Sequence, residues 1–338
     1  MVNVYIHIPF CQKKCSYCNF YSVIPTQDLI KTYFSALTKE LNKSPGLVSD
    51  TIYIGGGTPS LVNPYLIGNL LTKIKKTKNC EITLEANPET ITEKKLKVYK
   101  NIGINRLSFG LQAWQNKILN YLGRNSKAED FLHAFKTSRK LGFNNIDVDL
   151  IFGIYGQTLD MWQQTVEKVI ELNPEHISCY SLELNKRKLV KTASEILDRK
   201  MYHWVRLYLI KHGFHHYEIS NFAKHGFECK HNLNFWNSCE FLGFGAGAHS
   251  FINKTRLSNS ENLGEYSQNK KIMTEKELDS SKLRLKLRLI DGFVIKDHLK
   301  QINYLKKIKL ITYKKNIFKL TPKGMDLENQ VALELIDI

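Results

Sequence analysis

The fold of this chain is indicated first by residues 5–22, "YIHIPFCQKKCSYCNFYS". A strand-like run opens the segment, and three cysteines, Cys11, Cys15 and Cys18, follow with the spacing C-x3-C-x2-C. Three thiolates on one short loop can ligate three irons of a cubane [4Fe–4S] cluster, which ordinarily takes four cysteines. A set of three therefore leaves one iron with an open coordination position.

A zinc site is the alternative use of these thiols. A structural zinc ion needs a closed set of four ligands, and the nearest residue that could complete the set, His7, falls in the predicted strand. The spacing therefore favours the cluster. The chain has seven cysteines, an odd number for disulfides, and clustered thiols in a reducing compartment are typical of ligands. We expect the scattered remainder to be mostly buried or inert: Cys80, Cys179, Cys229 and Cys239.

Strand-like and helix-like segments alternate up to about residue 185. Segments of this length pair as parallel strands joined by right-handed crossovers, and six such units favour a barrel over an open sheet. We therefore predict an α/β fold with a partial or full parallel (β/α) barrel, whose functional side chains lie on loops at the carboxyl ends of the strands. The predicted strands are 3–8, 51–56, 81–87, 106–112, 146–153 and 176–184, and the predicted helices are 26–43, 63–76, 92–103, 128–143 and 158–174.

The pattern changes in the second half of the chain. Residues 185–214 indicate a mostly helical segment, and 215–251, rich in glycine, histidine, asparagine and aromatic residues, indicates an ordered functional loop. From about residue 276, short helices precede two strands, 310–315 and 317–321, as in a winged-helix-like domain. The predicted domains are a barrel over 1–225, a loop region over 226–275 and a smaller, mostly helical C-terminal domain over 276–338.

Composition and charge exclude some functions. The formal net charge of +17 is spread over lysine-rich, helix-like faces, and no nucleic-acid module accompanies it, so we expect no nucleic-acid partner. The longest apolar runs are far shorter than the roughly 20 residues of a membrane helix. Pro9 and Cys11 fall where a signal peptide would continue its apolar core, so we expect a cytoplasmic protein.

The cysteine spacing, together with Tyr17 between the second and third thiols, resembles the radical S-adenosylmethionine superfamily. The resemblance implies a barrel of that type and a [4Fe–4S] cluster ligated by Cys11, Cys15 and Cys18. In that superfamily the open iron chelates the amino and carboxylate groups of S-adenosylmethionine, and one electron from the cluster breaks its C5′–S bond. The cofactor carries this chemistry, and the protein positions it. Tyr17 is implied to pack on the adenine.

A glycine-rich segment after the second predicted strand, "YIGGGTPS" over 53–60, resembles the GGE-type loop of the same superfamily. Gly56, Gly57 and Thr58 would let backbone carbonyls approach an ammonium group, because glycine has no side chain to keep the ligand away. A plain glycine turn is the structural alternative.

The resemblance assigns further cofactor contacts to residues at or beyond the later strand ends. Glu85, Gln112 and Asp149 are implied to hold polar groups of the ribose and methionine, and Arg124 a carboxylate. Tyr5 is implied to line the same pocket. Helix capping or salt bridging is the alternative role for the four polar residues.

Motifs from Tyr5 to about Val331 resemble the HemN/HemW group, which unites oxygen-independent coproporphyrinogen III dehydrogenases and haem chaperones. Three features favour the chaperone branch. Phe20 stands where the dehydrogenases have a fourth cysteine, only four residues precede Tyr5 in place of a long extension, and "HNLNFW" over 231–236 resembles the branch's haem-associated H-N-x-x-Y-W. The other motifs are "IYIGGGTPS", "LEANPE", "RLSFGLQ", "DLIFG" with "QT", and "YEISNFA".

His231 is the haem contact that this motif implies, because an imidazole can ligate haem iron. Cys229 and His249 are the alternative ligands. Phe235 replaces the motif's tyrosine and removes its hydroxyl group. The segment 185–201 is shorter than in the family and lacks its Pro and Gly, which changes the substrate side of the expected pocket.

The resemblance leaves three functions open. The first is a haem chaperone that passes haem to an acceptor protein, soluble or membrane-associated, and receives electrons from a donor. The second is a radical decarboxylase of the propionates of coproporphyrinogen III. The third, suggested by the basic charge alone, is an RNA-modifying radical enzyme. The first is preferred, which leaves enzymatic activity uncertain.

Overall fold

The computed structural model describes residues 1–183, 189–268, 271–276 and 279–336. Its first half alternates six strands with helices, as the sequence predicts. The strands are β1 Asn3–Ile8, β2 Val48–Gly56, β3 Lys75–Ala86, β4 Arg106–Gln112, β5 Ile146–Phe152 and β6 His176–Ser181. The helices are α1 Gln27–Asn42, α2 Pro64–Leu71, α3 Glu93–Asn101, α4 Asn116–Tyr121, α5 Ala128–Lys140 and α6 Leu159–Glu171.

Threonine caps start three of these helices. The hydroxyl oxygens of Thr26, Thr92 and Thr158 each accept a hydrogen bond from the backbone amide three residues further on. Such a cap satisfies an amide that would otherwise lack a partner in the first turn, and it contributes about 1 kcal/mol. The caps therefore fix where α1, α3 and α6 begin after the strand-end loops.

The middle of the chain extends the sheet at both ends. It forms α7 Glu195–Lys211, β7 His215–Glu218, β8 Asn221–Ala223, α8 Lys230–Trp236, β9 Phe241–Phe244, β10 His249–Ile252, β11 Thr255–Asn259, α9 Leu263–Ser267 and β12 Lys271–Lys276. The sheet order is β12-β11-β10-β9-β1-β2-β3-β4-β5-β6-β8-β7. Strands β9 and β1–β6 run parallel, and the outer strands pair antiparallel. Within the described ranges the sheet ends at β12 and β7, so the barrel is partial.

Two predictions about this region need correction. The segment 215–251 is not a loop, because it contains β7 to β10 and α8; strands of three or four residues carry too little alternation to be recognised. The helix predicted over 63–76 ends at Leu71, because Lys75 already pairs with Val48 in the sheet. Helix α7 begins at Glu195, after the cap residue Ser194. Residues 184–188 lie outside the described part.

The C-terminal region forms a small second core. It contains α10 Asp279–Lys286, β13 Phe293–Val294, α11 Leu299–Lys307, β14 Ile311–Lys314, β15 Ile317–Leu320, α12 Pro322–Asp326 and α13 Glu328–Ile336. The predicted strand pair is confirmed as β14 and β15, and β13 completes an antiparallel sheet. Ile302, Leu305, Phe318 and Val331 are fully buried between these elements. No helix in the described ranges is both long and apolar enough to cross a membrane.

One face of the parallel sheet carries polar side chains. Arg106 on β4 donates from Nη2 to Oδ2 of Asp147 on β5 at 3.0 Å, and Nδ1 of His176 on β6 lies 2.7 Å from Oδ1 of the same carboxylate. Helix α8 packs against this face, where the amides of Lys230 and His231 donate to the carboxylate of Glu81 on β3. The inside of the partial barrel is therefore polar and partly filled by α8.

Candidate cofactor-binding site

A cavity of about 1240 Å³ opens at the carboxyl ends of the parallel strands. All the predicted site residues line it except Tyr5 and His231. The lining residues that the sequence predicts are Cys11, Cys15, Tyr17, Cys18, Gly56, Gly57, Thr58, Glu85, Gln112, Arg124 and Asp149. Parallel strands bring their carboxyl ends to one edge of the sheet, which explains why residues so distant in sequence share one cavity.

The loop after β1 holds the three cysteines. The Cys11 amide donates to the carbonyl of Val23 at 3.0 Å, and the Ser16 amide donates to the carbonyl of Leu122 at 3.0 Å. The Cys18 amide donates back to the carbonyl of Cys15 at 3.3 Å. None of the three cysteines forms a disulfide bond, and all three are half-buried. Backbone bonds thus fix the loop while its sulfur atoms stay accessible.

The spacing of the thiols distinguishes a cluster from a single zinc ion. Two sulfurs on one zinc lie at most about 4.6 Å apart, since each Zn–S bond is about 2.3 Å. Among the described residues, the three sulfurs do not form a group in which all ligand atoms lie within 4.8 Å of one another. In a cluster each thiolate binds a different iron, so a wider spacing is required.

His7 does not complete a zinc site. Its Nε2 donates to the carbonyl of Tyr21 at 3.1 Å, and its Nδ1 accepts from the hydroxyl of Tyr5 at 3.0 Å. Burial lowers the pKa of His7 to about 4, which agrees with the neutral ring that these two bonds require. The predicted location of His7 in the first strand is confirmed.

The glycine-rich segment lies directly against the cysteine loop. The Gly57 amide donates to the carbonyl of Ile8 at 2.9 Å, and the Thr58 amide donates to the carbonyl of Phe10 at 2.7 Å. A Cβ atom on Gly57 would lie 2.8 Å from the backbone nitrogen and oxygen of Phe10. The Thr58 hydroxyl donates to Sγ of Cys11 at 3.5 Å. This close approach of two backbones requires glycine at position 57.

Glu85 is held by its two neighbours on β2. The Tyr53 hydroxyl donates to Oε1 at 3.0 Å, and the Gly56 amide donates to Oε2 at 3.1 Å. Burial raises the pKa of Glu85 above its ordinary value, against the effect of these bonds. The carboxyl group is therefore oriented at the cavity wall, where it can accept from a hydroxyl or ammonium group of a ligand.

Asp149 lies beside a second buried carboxylate. The Ser108 hydroxyl is within hydrogen-bond distance of both groups, 2.9 Å from Oδ2 of Asp149 and 3.0 Å from Oδ2 of Asp147. Burial, followed by the charges of Asp147 and Glu85, raises the pKa of Asp149 well above its ordinary value. His176 and Arg106 lower the pKa of Asp147, and their combined effect outweighs that of its burial. Two adjacent carboxyl groups thus differ in their affinity for a proton.

Arg124 and Gln112 lie together at the end of β4. The Nη2 group of Arg124 donates to the carbonyl of Gly110 at 2.6 Å and to Oδ1 of Asn87 at 3.0 Å. Its Nε atom is buried and has no hydrogen-bond partner among the described residues. Gln112 has a φ of 72°, rare outside glycine, at a register shift between β4 and β5. Strained backbone of this kind concentrates at ligand sites.

Tyr17, within the cysteine loop, packs against the apolar cluster that includes Leu119 and Leu122. Burial raises the pKa of its hydroxyl group, so the ring stays neutral. An uncharged aromatic face at the cavity wall suits stacking on a nucleobase, which agrees with the role that the resemblance implies for Tyr17.

Tyr5 and His231 do not line the cavity. Both rings contact the ring of Tyr53, which does line it, with centroid separations of 6.3 Å for Tyr5 and 5.2 Å for His231. Nδ1 of His231 lies 3.0 Å from the hydroxyl of Thr51. Of the alternative haem ligands, Cys229 is fully buried and His249 is exposed on β10; neither lines the cavity in the described part of the chain.

Comparisons with known proteins identify the chain's family. Residues 5–169 match the radical SAM superfamily. The haem chaperone HemW of Bacillus subtilis (strain 168) is 37% identical, with 77% of this chain and 73% of that protein covered. The haem chaperone HemW of Lactococcus lactis subsp. lactis (strain IL1403) is 33% identical, with 97% and 96% covered. The chain belongs to the HemW family. The predicted resemblance is confirmed.

A solved structure confirms the fold of this HemW-family chain. The structure titled coproporphyrinogen III oxidase HemN from Escherichia coli, a radical SAM enzyme, gives a TM-score of 0.85, with 98% of this chain and 89% of that chain covered. The sequences are 22% identical, so the likeness concerns the fold. The radical SAM barrel with a smaller C-terminal region is thus confirmed as the fold class.

Some lining residues of this HemW-family cavity were not predicted from sequence. Tyr53, Asn87 and Ser108 contact predicted site residues directly, and Arg288 lines the end of the cavity nearest the C-terminal region, beside Trp236 of the haem-associated motif. Alternation along β2 could have identified Tyr53, because it lies two residues before Gly55 and so on the same face. No local pattern links Arg288 to the site.

Proposed function

We propose that this protein is a haem chaperone, which binds haem and passes it to an acceptor protein while it holds a [4Fe–4S] cluster and S-adenosylmethionine. One observation carries the proposal: Cys11, Cys15 and Cys18 line the same cavity as Trp236 of the haem-associated motif. Pockets for one small ligand have volumes of about 300–1,000 Å³. A volume of about 1240 Å³ therefore has room for a second ligand beside the cofactor.

The donor set fits the cluster and its cofactor. Three accessible thiols, spaced too widely for one zinc ion, would ligate three irons, and the fourth iron supplies one-electron chemistry when the cluster is bound. The partnerless Nε of Arg124 would donate to the carboxylate of S-adenosylmethionine. Glu85 and Asp149 would accept from its hydroxyl and ammonium groups, with Gln112 beside them.

Trp236 and Arg288 form the part of the cavity that suits haem. The guanidinium of Arg288 lies 4.6 Å from the centre of the Trp236 ring, and Nε1 of Trp236 is buried without a partner among the described residues. An indole can pack on the porphyrin face. A guanidinium can pair with a propionate, because its fork of donors matches a carboxylate. These two residues give the cavity an aromatic surface and a guanidinium at one end. Nε and Nη2 of Arg288 already donate to Glu218 and Ser220, so a propionate would share this guanidinium with them.

His231 has the protonation state that an iron ligand needs. Thr51 donates its hydroxyl hydrogen to Oδ1 of Asn3, so Nδ1 of His231 must donate to the Thr51 oxygen. Burial, followed by the charge of Arg106, lowers the pKa of His231 to about 4, so its Nε2 carries a lone pair at neutral pH. Because His231 does not line the cavity, we expect ligation of haem iron by His231 to require a movement of α8.

Haem titration of anaerobically reconstituted protein tests the proposal. We expect the wild-type protein to bind one haem per chain. The Kd for haem should rise at least tenfold in Trp236→Leu and in His231→Ala, while the cluster iron stays unchanged in both variants. His249→Ala is the control, since His249 is an exposed histidine of β10 outside the cavity. Absence of haem binding by the wild-type protein would overturn the proposal.

The same preparation separates the chaperone from a coproporphyrinogen III dehydrogenase. We expect no vinyl product from coproporphyrinogen III with S-adenosylmethionine and reductant under anaerobic conditions. Transfer is then measured by mixing the haem-loaded protein with an apo-haem protein and following the haem spectrum. The natural acceptor and electron donor, both proteins in this proposal, remain to be found by such transfer and reduction assays. Vinyl product at enzyme-like rates would favour the dehydrogenase.

A further inference from the structure

A second group of ligand-type side chains lies outside the cavity. His215 is on β7, and His225 and Glu228 are in the turn between β8 and α8. One ligand atom from each of the three lies within 4.8 Å of the other two, and no other group of three in the described ranges meets this criterion. None of the three lines the cofactor cavity.

The distances in this group suit a tetrahedral metal ion. Nδ1 of His215 is 2.9 Å from Oε1 of Glu228, and Nδ1 of His225 is 3.9 Å from the same oxygen. Ligands at 2.0–2.1 Å from a tetrahedral zinc ion lie about 3.3 Å from one another. The two separations from Glu228 bracket this value, and the two histidine nitrogens lie within 4.8 Å of each other.

Neighbouring groups already orient two of the ligands. The Gly226 amide donates to Oε2 of Glu228 at 2.9 Å, so that Oε1 is the oxygen nearest the histidines. Nε2 of His215 lies 3.1 Å from Oδ2 of Asp291, which directs its Nδ1 toward the same point. A carboxylate on the outer nitrogen of a ligating histidine is the usual support of zinc sites.

We propose that His215, His225 and Glu228 bind one divalent transition-metal ion of the zinc class, with Asp291 as a positioning residue. Two imidazoles and one carboxylate are a ligand set typical of zinc. The side chain of His225 is 83% exposed, so a water molecule has access to a fourth position.

The site would couple metal binding to the position of α8. Glu228 is two residues before Lys230, where α8 begins, and His215 is on the edge strand of the sheet. A metal ion between them would join the start of the haem-associated helix to β7. The metal proposal rests on these ligands alone and does not depend on the proposed function.

The test uses cluster-reconstituted protein without a polyhistidine tag, dialysed with zinc and then analysed for zinc and iron. We expect one zinc per chain in addition to unchanged iron, and a thermal midpoint that rises with zinc. Chelator competition should show affinity reduced about 100-fold or more in His225→Ala and Glu228→Gln, and about 10-fold in Asp291→Asn. His133→Ala is the control, since His133 is an exposed residue of α5.

Three results would overturn the proposal. The first is a wild-type protein that takes up no additional zinc. The second is a zinc affinity that is undiminished in both ligand variants. The third is zinc that appears only as iron is lost, which would place the zinc on the cysteines. Circular dichroism spectra that match the wild type establish that the variants are folded, and Glu228→Gln conserves the size of the side chain.

Discussion

The hydroxyl group of Tyr53 donates a 3.0 Å hydrogen bond to Oε1 of Glu85. With the Gly56 amide on Oε2, this bond fixes both oxygens of a carboxyl group at the cavity wall. The two donors belong to β2 and the acceptor to β3, so adjacent strands together determine where Glu85 presents its oxygens. Tyr53 thus positions a residue that we assign to the cofactor.

Tyr53→Phe removes this hydroxyl and leaves the ring in place. We expect the Kd for S-adenosylmethionine, measured anaerobically by calorimetry on reconstituted protein, to rise about two- to tenfold, since one hydrogen bond contributes about 0.5–1.5 kcal/mol. Tyr65→Phe, at an exposed tyrosine of α2, should bind as the wild type does. Equal affinities in the two variants would mean that Tyr53 has no positioning role.

Cys15→Ala removes one of three cluster ligands. We expect iron and sulfide after anaerobic reconstitution to fall to a small fraction of wild type, because two thiolates on one loop do not hold a cubane cluster. Cys239→Ala, at an exposed cysteine away from the cavity, should reconstitute fully. Iron content in Cys15→Ala equal to that of the control would refute the ligand assignment.

Asp149→Asn should change how stability depends on pH. Burial and the neighbouring carboxylates raise the pKa of Asp149 above 3.8, so ionisation is less favourable in the folded than in the unfolded chain. Wild-type stability therefore decreases as pH rises from the ordinary pKa toward the folded one, whereas the variant lacks this decrease.

The measurement for Asp149 is denaturant unfolding of the cofactor-free protein between about pH 4 and pH 8. We expect the free energy of unfolding of Asp149→Asn to exceed that of the wild type by about 1 kcal/mol or more at the upper pH, and by less at the lower pH. Asp297→Asn, at an exposed position, provides the control. A difference independent of pH would contradict the raised pKa.

Arg106→Met should be strongly destabilising. Arg106 is fully buried, and its loss leaves the Asp147 carboxylate without its cationic partner. Removal of one member of a buried pair lowers the free energy of unfolding by about 3–5 kcal/mol. The control is Arg199→Met, at a half-exposed pair with Asp326, which should lower it by less than about 1 kcal/mol. The double variant with Asp147→Asn should be less destabilised than the sum of both single variants. Additive losses would show that the two side chains do not interact.

The sequence predicts the parallel strands and the cysteine loop well because each has a local signal. Strands β1 to β6 contain β-branched and aromatic runs that alternate with helix-like segments, three of which begin at a threonine cap, and the thiol spacing is specific. The glycines also carry a physical signal, since Gly57 is in contact with the backbone of Phe10.

What sequence could not predict depends on contacts between distant segments. Helix α8 lies inside the partial barrel because Glu81 accepts from the amides at its start, and nothing near Glu81 in sequence indicates this. The position of His231 outside the cavity lining follows from the same packing of α8. Strands β7 to β12 are short, and their pairing with the edges of the sheet stabilises them more than their own composition does.

The backbone bonds of the cysteine loop have a consequence for how the ligating sulfurs can be displaced. Cys11 is tied to Val23 and Ser16 to Leu122, so the loop is anchored at two points outside the cysteines themselves. A substitution that shifts either anchor would move the sulfur atoms while leaving every thiol in the sequence.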